Sequence, residues 1–312
     1  MNDHERAIVQ YGLGRFIETR DTQKYPKRSI SVAEPLALIS ICRHLIGKES
    51  FATHVLNHLE YNSGKGFEVV AMVAFTRLLQ NKLRISDLFN FHKQQPEWSH
   101  ETAQIVSRAS KSYVNYHSIL HEPIFSDQAL PFQAFDPEDV INWLTNDSSP
   151  AWCIPDSKMG PDLMTRIKLS NGNNILIVVQ AKCWGVATSK GVSLPASETA
   201  SAIRSLTPSR WFSETRRRNM GKIATKKQKT RIKKMLSVVS SFKILRVVVA
   251  APLVPNLDST TSQVQDAIKA DESPLATIDL AHIAQAFSEI PDGHEIVRRL
   301  NWKRGENMMG AS

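Results

Sequence analysis

The sequence predicts an α/β fold, a mixed central sheet flanked by helices, and three observations predict it. Phe67, Val69, Val70, Met72, Val73, Phe75, Leu78 and Leu79 are apolar almost all round a helix, which reads as a buried one. Ser170, Asn171, Gly172, Asn173 and Asn174 stand as a turn between two strand-like runs, residues 162–169 and 175–184, and predict a β-hairpin. Residues 243–254, carrying Ile244, Leu245, Val247, Val248 and Val249, leave no polar face and read as a strand buried on both sides. With a short run at residues 151–154 before the hairpin, the order is helix, three strands, helix, strand.

Along the chain, Leu36, Leu38, Ile39, Ile41 and Leu45, then Phe51, Val55, Leu56 and Leu59, predict two or three helices. Residues 1–62 are thus expected to form a helical region packed on the core. Asn62, Ser63, Gly64, Lys65 and Gly66 break that pattern and open the buried helix. Residues 81–150, punctuated by Pro96, Pro123, Pro131, Pro137 and Pro150, read as an insertion that loops out of a core spanning 63–255. A Ser/Thr/Gly/Pro-rich stretch at 185–197 predicts a loop leading into a basic helix. That helix has Ile232, Met235, Leu236 and Val239 on one stripe. Residues 256–312 predict a helical extension, with helices at 262–270 and 279–289, Asp279 as an N-cap, and a loose last ten residues.

Composition removes several classes. At 312 residues, 42% hydrophobic and 22% charged, the chain has enough apolar material for a core and is neither a fibre nor a disordered tail. Cys42, Cys153 and Cys183 are odd in number and widely spaced with no CxxC pair, which suggests neither a disulfide framework nor a thiolate zinc site and fits a reducing compartment. His117 and His121 lie four apart without a third ligand at zinc spacing. No apolar run approaches the roughly 20 residues that span a bilayer, and no secretory signal opens the chain, so the expectation is no membrane and a nuclear or cytoplasmic location.

The net charge of +9 is concentrated. Between residues 204 and 234 twelve Lys and Arg face one acid, Glu214. A like-charged block is either a solvated helix face or a surface matched to a polyanion. On the second reading Arg216, Arg217, Arg218, Lys222, Lys226, Lys227, Lys229 and Lys233 contact phosphates. Six such contacts would cost on the order of a thousandfold in affinity between about 50 and 200 mM salt. The same string would also serve as a nuclear import signal.

Three polar features interrupt apolar surroundings. Glu68 heads a row formed with Met72, Phe75 and Leu79, and a buried carboxylate needs a cation, a hydrogen-bonding partner or a proton. Asp162 follows Gly160 and Pro161 at the entrance of a hairpin strand, where alternation groups it with Met164, Arg166 and Lys168 on a face expected to be polar. The partner strand ends in Gln180, Ala181 and Lys182, with Gln180 and Lys182 pointing the same way. Magnesium, or manganese, takes hard oxygen ligands, one or two of them carboxylates. Glu68 and Asp162 can supply carboxylates, the Gln180 amide or Ala181 carbonyl a further oxygen, and Lys182 can orient a water or offset charge on a phosphate.

Gly64-Lys65-Gly66-Phe67-Glu68, Pro161-Asp162 and Gln180-Ala181-Lys182 resemble the three motifs of the PD-(D/E)xK nuclease superfamily, the restriction-endonuclease and RecB-like fold. The resemblance covers residues 63–255, and within the superfamily it is most similar to fungal and oomycete crinkler-like nuclease domains. It implies an αβββαβ core and a Mg²⁺-dependent endonuclease acting on nucleic acid, DNA before RNA. Glu68, Asp162, Gln180 and Lys182 would be catalytic, with metal held by Glu68, Asp162, Gln180 and Ala181. Double-strand cutting would call for a homodimer. Position 180 departs from most members, which carry an acid there, so the alternative is a catalytically inactive relative that binds nucleic acid or a partner.

Overall fold

The computed structural model describes residues 14–19, 27–32, 63–80, 83–93, 95–106, 131–146, 150–156, 159–183, 193–212, 226–288, 290 and 292–302. The chain divides into two compact units, residues 1–51 and 52–312. In the first, Gly14–Thr19 (β1) and Lys27–Val32 (β2) pair antiparallel, Gly14 opposite Val32 and Phe16 opposite Ile30. This ribbon was not expected in a helical region. Its signal is the alternation of Ser29 and Ser31 with Ile30 and Val32, a period of two that the apolar spacing further along outweighs. The helices expected near 36–45 and 51–59 lie outside the described residues.

The second unit opens with helix α1 (Ser63–Gln80), which buries Phe67, Val70, Met72, Phe75, Leu78 and Leu79 as its apolar circumference predicts. Each such side chain contributes roughly 1.5–3 kcal/mol. Short elements follow: α2 (Ile85–Leu88), β3 (Asn90–Phe91), β4 (Ala103–Ile105), β5 (Pro131–Gln133) and helix α3 (Pro137–Thr145). Asp136 caps α3, its carboxylate accepting from the amides of Glu138 and Asp139. Strands β6 (Trp152–Ile154), β7 (Leu163–Leu169) and β8 (Asn174–Cys183) come next, then helices α4 (Ala196–Leu206) and α5 (Lys226–Val239) and strand β9 (Lys243–Ala251). Helix α6 (Ser262–Lys269), strand β10 (Leu275–Thr277) and helices α7 (Leu280–Phe287) and α8 (Gly293–Trp302) complete it.

One eight-stranded mixed sheet unites them, in the order β3-β10-β9-β8-β7-β6-β5 with β4 also paired to β7. Strands β6, β7 and β8 form an antiparallel meander, and β9 returns parallel to β8 from Ile175 opposite Lys243 to Cys183 opposite Ala251. The hairpin turn lies where expected, and Gly172 at φ +87° takes the left-handed conformation that a side chain would resist.

Pairing and burial assign the two faces. Trp152 stands opposite Thr165, and Thr165 opposite Ile177. The Trp152 indole meets α1, its Nε1 donating to Thr76 Oγ1 at 2.9 Å and its ring lying edge-on to Phe75. The next residues along each strand, Cys153, Met164 and Val178, point the other way, into a core with Trp143, Ala202, Ile203, Leu206, Met235 and Val239 from α3, α4 and α5. The sheet is therefore flanked by helices on both sides.

Four expectations need correction. The segment 81–150 does not simply loop out: β3, β4 and β5 are strands of the sheet, pairing with β10, β7 and β6. The C-terminal extension is not purely helical, since β10 lies parallel to β9. The crossover holds two helices, because α4 forms where residues 196–197 were assigned to a loop before one basic helix. The face of β7 carrying Asp162 is not polar either: Met164 and Arg166 are buried and only Lys168 is exposed. Arg166 stacks 5.0 Å from the centre of the Trp143 ring and donates to the Leu144 carbonyl at 2.6 Å. Arg246 is likewise buried in β9, donating to the carbonyls of Asp271 and Ser273, each at 2.7 Å from Nη2. Burial lowers its pKa and the neighbouring Asp271 opposes that shift.

Candidate metal and nucleic-acid site

The hairpin register places the acid. Leu163 pairs with Val179, so the residue before it faces the end of β8, and the Asp162 amide donates to the Val179 carbonyl at 2.9 Å. The Asp162 carboxylate then receives two donors on Oδ2, the Ala181 amide at 2.8 Å and the Gln180 side-chain amide. Donors on one oxygen fix the orientation of the carboxylate.

The turn that delivers Asp162 is itself pinned. Met159 is fully buried and its carbonyl accepts from the Phe212 amide at 3.0 Å. Gly160, at φ +153°, passes so close to α4 that an added Cβ would stand 2.4 Å from the Ser205 carbonyl oxygen and 2.6 Å from Trp211 Cδ1. Trp211 is held in turn, its Nε1 donating to that same Ser205 oxygen at 2.9 Å.

Gln180 is 6% exposed. Its Nε2 is bound to Asp162, while its Oε1 is buried with no hydrogen-bond partner. Even-numbered residues of β8 face α4, and Lys182 follows that rule: its Nζ lies 3.9 Å from Glu198 Oε2 in the first turn of α4. Both side chains are about a third exposed, at 28% and 33%. The structure thus brings Asp162, Gln180, Ala181 and Lys182 to one end of the hairpin and adds Glu198, which the sequence reading missed. Its signal was weak, an acid sixteen residues beyond Lys182 and just past the stretch read as loop.

Glu68 is half-buried in the second turn of α1. That helix packs against β8 from the face opposite α4. Among the described residues no three His, Cys, Asp or Glu side chains gather into a metal-holding group. One or two carboxylates with amide and carbonyl oxygens is nonetheless the donor set magnesium accepts, and the orphaned Gln180 oxygen is a buried acceptor of the right hardness.

On the basic helix, Met235 and Val239 are buried and Lys229 and Lys233 exposed, as the helical stripe predicts. Two of its cations are met from within the protein: Lys234 Nζ lies 2.9 Å from Glu138 and Arg231 3.7 Å from Asp136. Arg216, Arg217, Arg218 and Lys222, with the side chains of Lys226 and Lys227, fall outside the described residues. No helix among the described residues is long and apolar enough to cross a membrane. The chain matches no family model, no curated protein and no solved structure.

Proposed function

We propose that the protein is a magnesium- or manganese-dependent nuclease that hydrolyses phosphodiester bonds in nucleic acid, with DNA as the substrate. One observation carries the reading: at the end of a buried hairpin, a doubly hydrogen-bonded Asp162 carboxylate stands beside an orphaned amide oxygen, with a lysine two residues on. The antiparallel meander β6-β7-β8 followed by a parallel β9, with α1 across the sheet, supports the PD-(D/E)xK resemblance carried by the motifs.

Asp162, Glu68, the Gln180 Oε1 and the Ala181 carbonyl would hold the ion, which when bound lowers the pKa of a coordinated water and draws charge from a phosphate oxygen. Asp162 is oriented for this by the Ala181 amide. Lys182 positions a water oxygen and faces the anionic phosphate. In the hydrolysis a bond forms between that oxygen and phosphorus, the ester bond to one sugar oxygen breaks, the water's proton passes to solvent and the leaving alkoxide takes one up. Lys229 and Lys233 on the exposed side of α5 grip the backbone together with the basic stretch before them.

The alternative of an inactive nucleic-acid-binding relative is favoured by one fact, that the Gln180 amide already donates to Asp162 where an acid would repel it. Plasmid cleavage separates the two readings. Nicking should require magnesium, stop with EDTA, and be lost in Asp162→Ala and Lys182→Ala. Equal nicking by wild type and both variants refutes the site. In the binding arm, neutralising Lys229 and Lys233 together should reduce the slope of log affinity against log salt by roughly 1.8, about 0.9 for each phosphate that no longer meets a lysine.

A further inference from the structure

We infer that Phe135 is a stacking platform for an unpaired base, so that the nucleic acid held along α5 is single-stranded where it passes the entrance of α3. The inference rests on the nucleic-acid reading of α5 and names the strand state of its substrate. Three observations lead to it. First, Phe135 is, among the described residues, the one large apolar side chain left exposed, at 74%. Second, its backbone is held from both sides. The Ala134 amide donates to the Ile154 carbonyl at 2.9 Å, the Phe135 amide donates to Asp139 Oδ2 at 2.9 Å, and Asp136 caps α3. A ring on a fixed backbone has little freedom left to lose when a base stacks on it. Third, this corner abuts the basic helix. Asp136, the next residue, has Oδ2 3.7 Å from Arg231 Nη1, and Glu138 Oε1 lies 2.9 Å from Lys234 Nζ. Lys233, assigned above to the phosphate backbone, is the residue before Lys234, so a strand bound there runs past the entrance of α3.

The charges sort the parts of a nucleotide. Asp136, Glu138 and Asp139 crowd the entrance of α3 and repel phosphate, whereas the neutral face of a base is not repelled. Phosphates therefore go to the lysines and a base to the ring. In a duplex the bases are stacked on one another and their faces are closed, so only an unpaired base offers one to Phe135. Every base has such a face, and the contact is accordingly tolerant of sequence.

The plainer reading is a lone surface phenylalanine, which soluble proteins commonly carry, and the rival occupant is a second copy of the chain. Binding separates them. Fluorescence anisotropy of the full chain with labelled oligothymidylate, in EDTA so that nothing is cut, should show Phe135→Ala weakening binding by about fivefold or more, the contribution of one stacked base, while a blunt duplex of equal length loses under about twofold. Phe135→Trp should bind like wild type. Phe135→Leu, apolar but without a π-face, should fail as alanine does. Unchanged oligothymidylate affinity in Phe135→Ala, alongside loss on neutralising Lys229 and Lys233, overturns the Phe135 assignment and leaves nucleic-acid binding standing. An equal loss on the duplex, or full rescue by leucine, overturns the stacking. No binding of either probe by the wild-type chain overturns the nucleic-acid reading and the assignment with it. A wild-type dimer in sedimentation that Phe135→Ala splits gives the ring to that interface and overturns the inference as well.

Discussion

Replacing Gly160 by alanine tests whether the turn before Asp162 is held by close backbone approach. The new methyl would sit 2.4 Å from the Ser205 carbonyl oxygen and 2.6 Å from Trp211 Cδ1, and neither can retreat freely. The carbonyl belongs to α4, and the indole is tied to that same carbonyl through Nε1 at 2.9 Å. The backbone at φ +153° adds a second cost, since a side chain rarely adopts it. Strain of roughly 1–3 kcal/mol for the backbone and a similar amount for overpacking place the loss near 3 kcal/mol. For a unit of this size that lowers Tm by roughly 6–12 °C. Thermal and urea unfolding followed by circular dichroism measure it. Relief of the clash moves the turn away from α4 and takes Asp162 off the Ala181 amide, so on the proposed metal-dependent function Mn²⁺ binding should weaken as well. A Tm within about 1 °C of wild type would refute the close-approach argument.

Two more expectations concern buried groups. Arg246→Met removes a guanidinium that donates to the Asp271 and Ser273 carbonyls and leaves those acceptors with no donor; unfolding in urea should show a loss of about 3–5 kcal/mol, and a loss under about 1 kcal/mol would contradict the buried-network account. Burial pushes the Cys153 thiol pKa far up, with Asp139 adding to the shift and Arg166 opposing it, so alkylation at mildly alkaline pH should modify the half-buried Cys183 first and reach Cys153 only in denaturant, as site-resolved mass spectrometry can report.

The elements that were legible from sequence are those specified by neighbours along the chain. The hairpin is written in its turn residues, β9 in an apolar run that only Arg246 interrupts, and α1 in its apolar circumference. Because a hairpin's register follows from its turn, the juxtaposition of Asp162 with Gln180, Ala181 and Lys182 was legible too. What was not legible depends on segments far apart in sequence. Strands β3, β4, β5 and β10 have two or three residues each, too few for a period to register, and exist because a partner strand waits for them. Glu198 nears Lys182 only because α4 folds back over the sheet. Arg166 looks like a solvent-facing charge until Trp143 is brought beside it, and the partners of Arg246, carbonyls some 25 residues further along the chain, are not marked in its own strand.

The border of the sheet beyond β9 is stitched from two pieces of chain that lie nearly 190 residues apart, Asn90–Phe91 and Leu275–Thr277. A ribosome must pass Thr277 before the valine-rich flank of β9 at Val247 and Val248 can be covered by its neighbour. Trimming the protein at residue 255, where the expected core ends, would bare that flank as an adhesive seam and invite self-association. The smallest workable fragment is therefore set by strand closure and must keep residues 275–277, however little chemistry they carry.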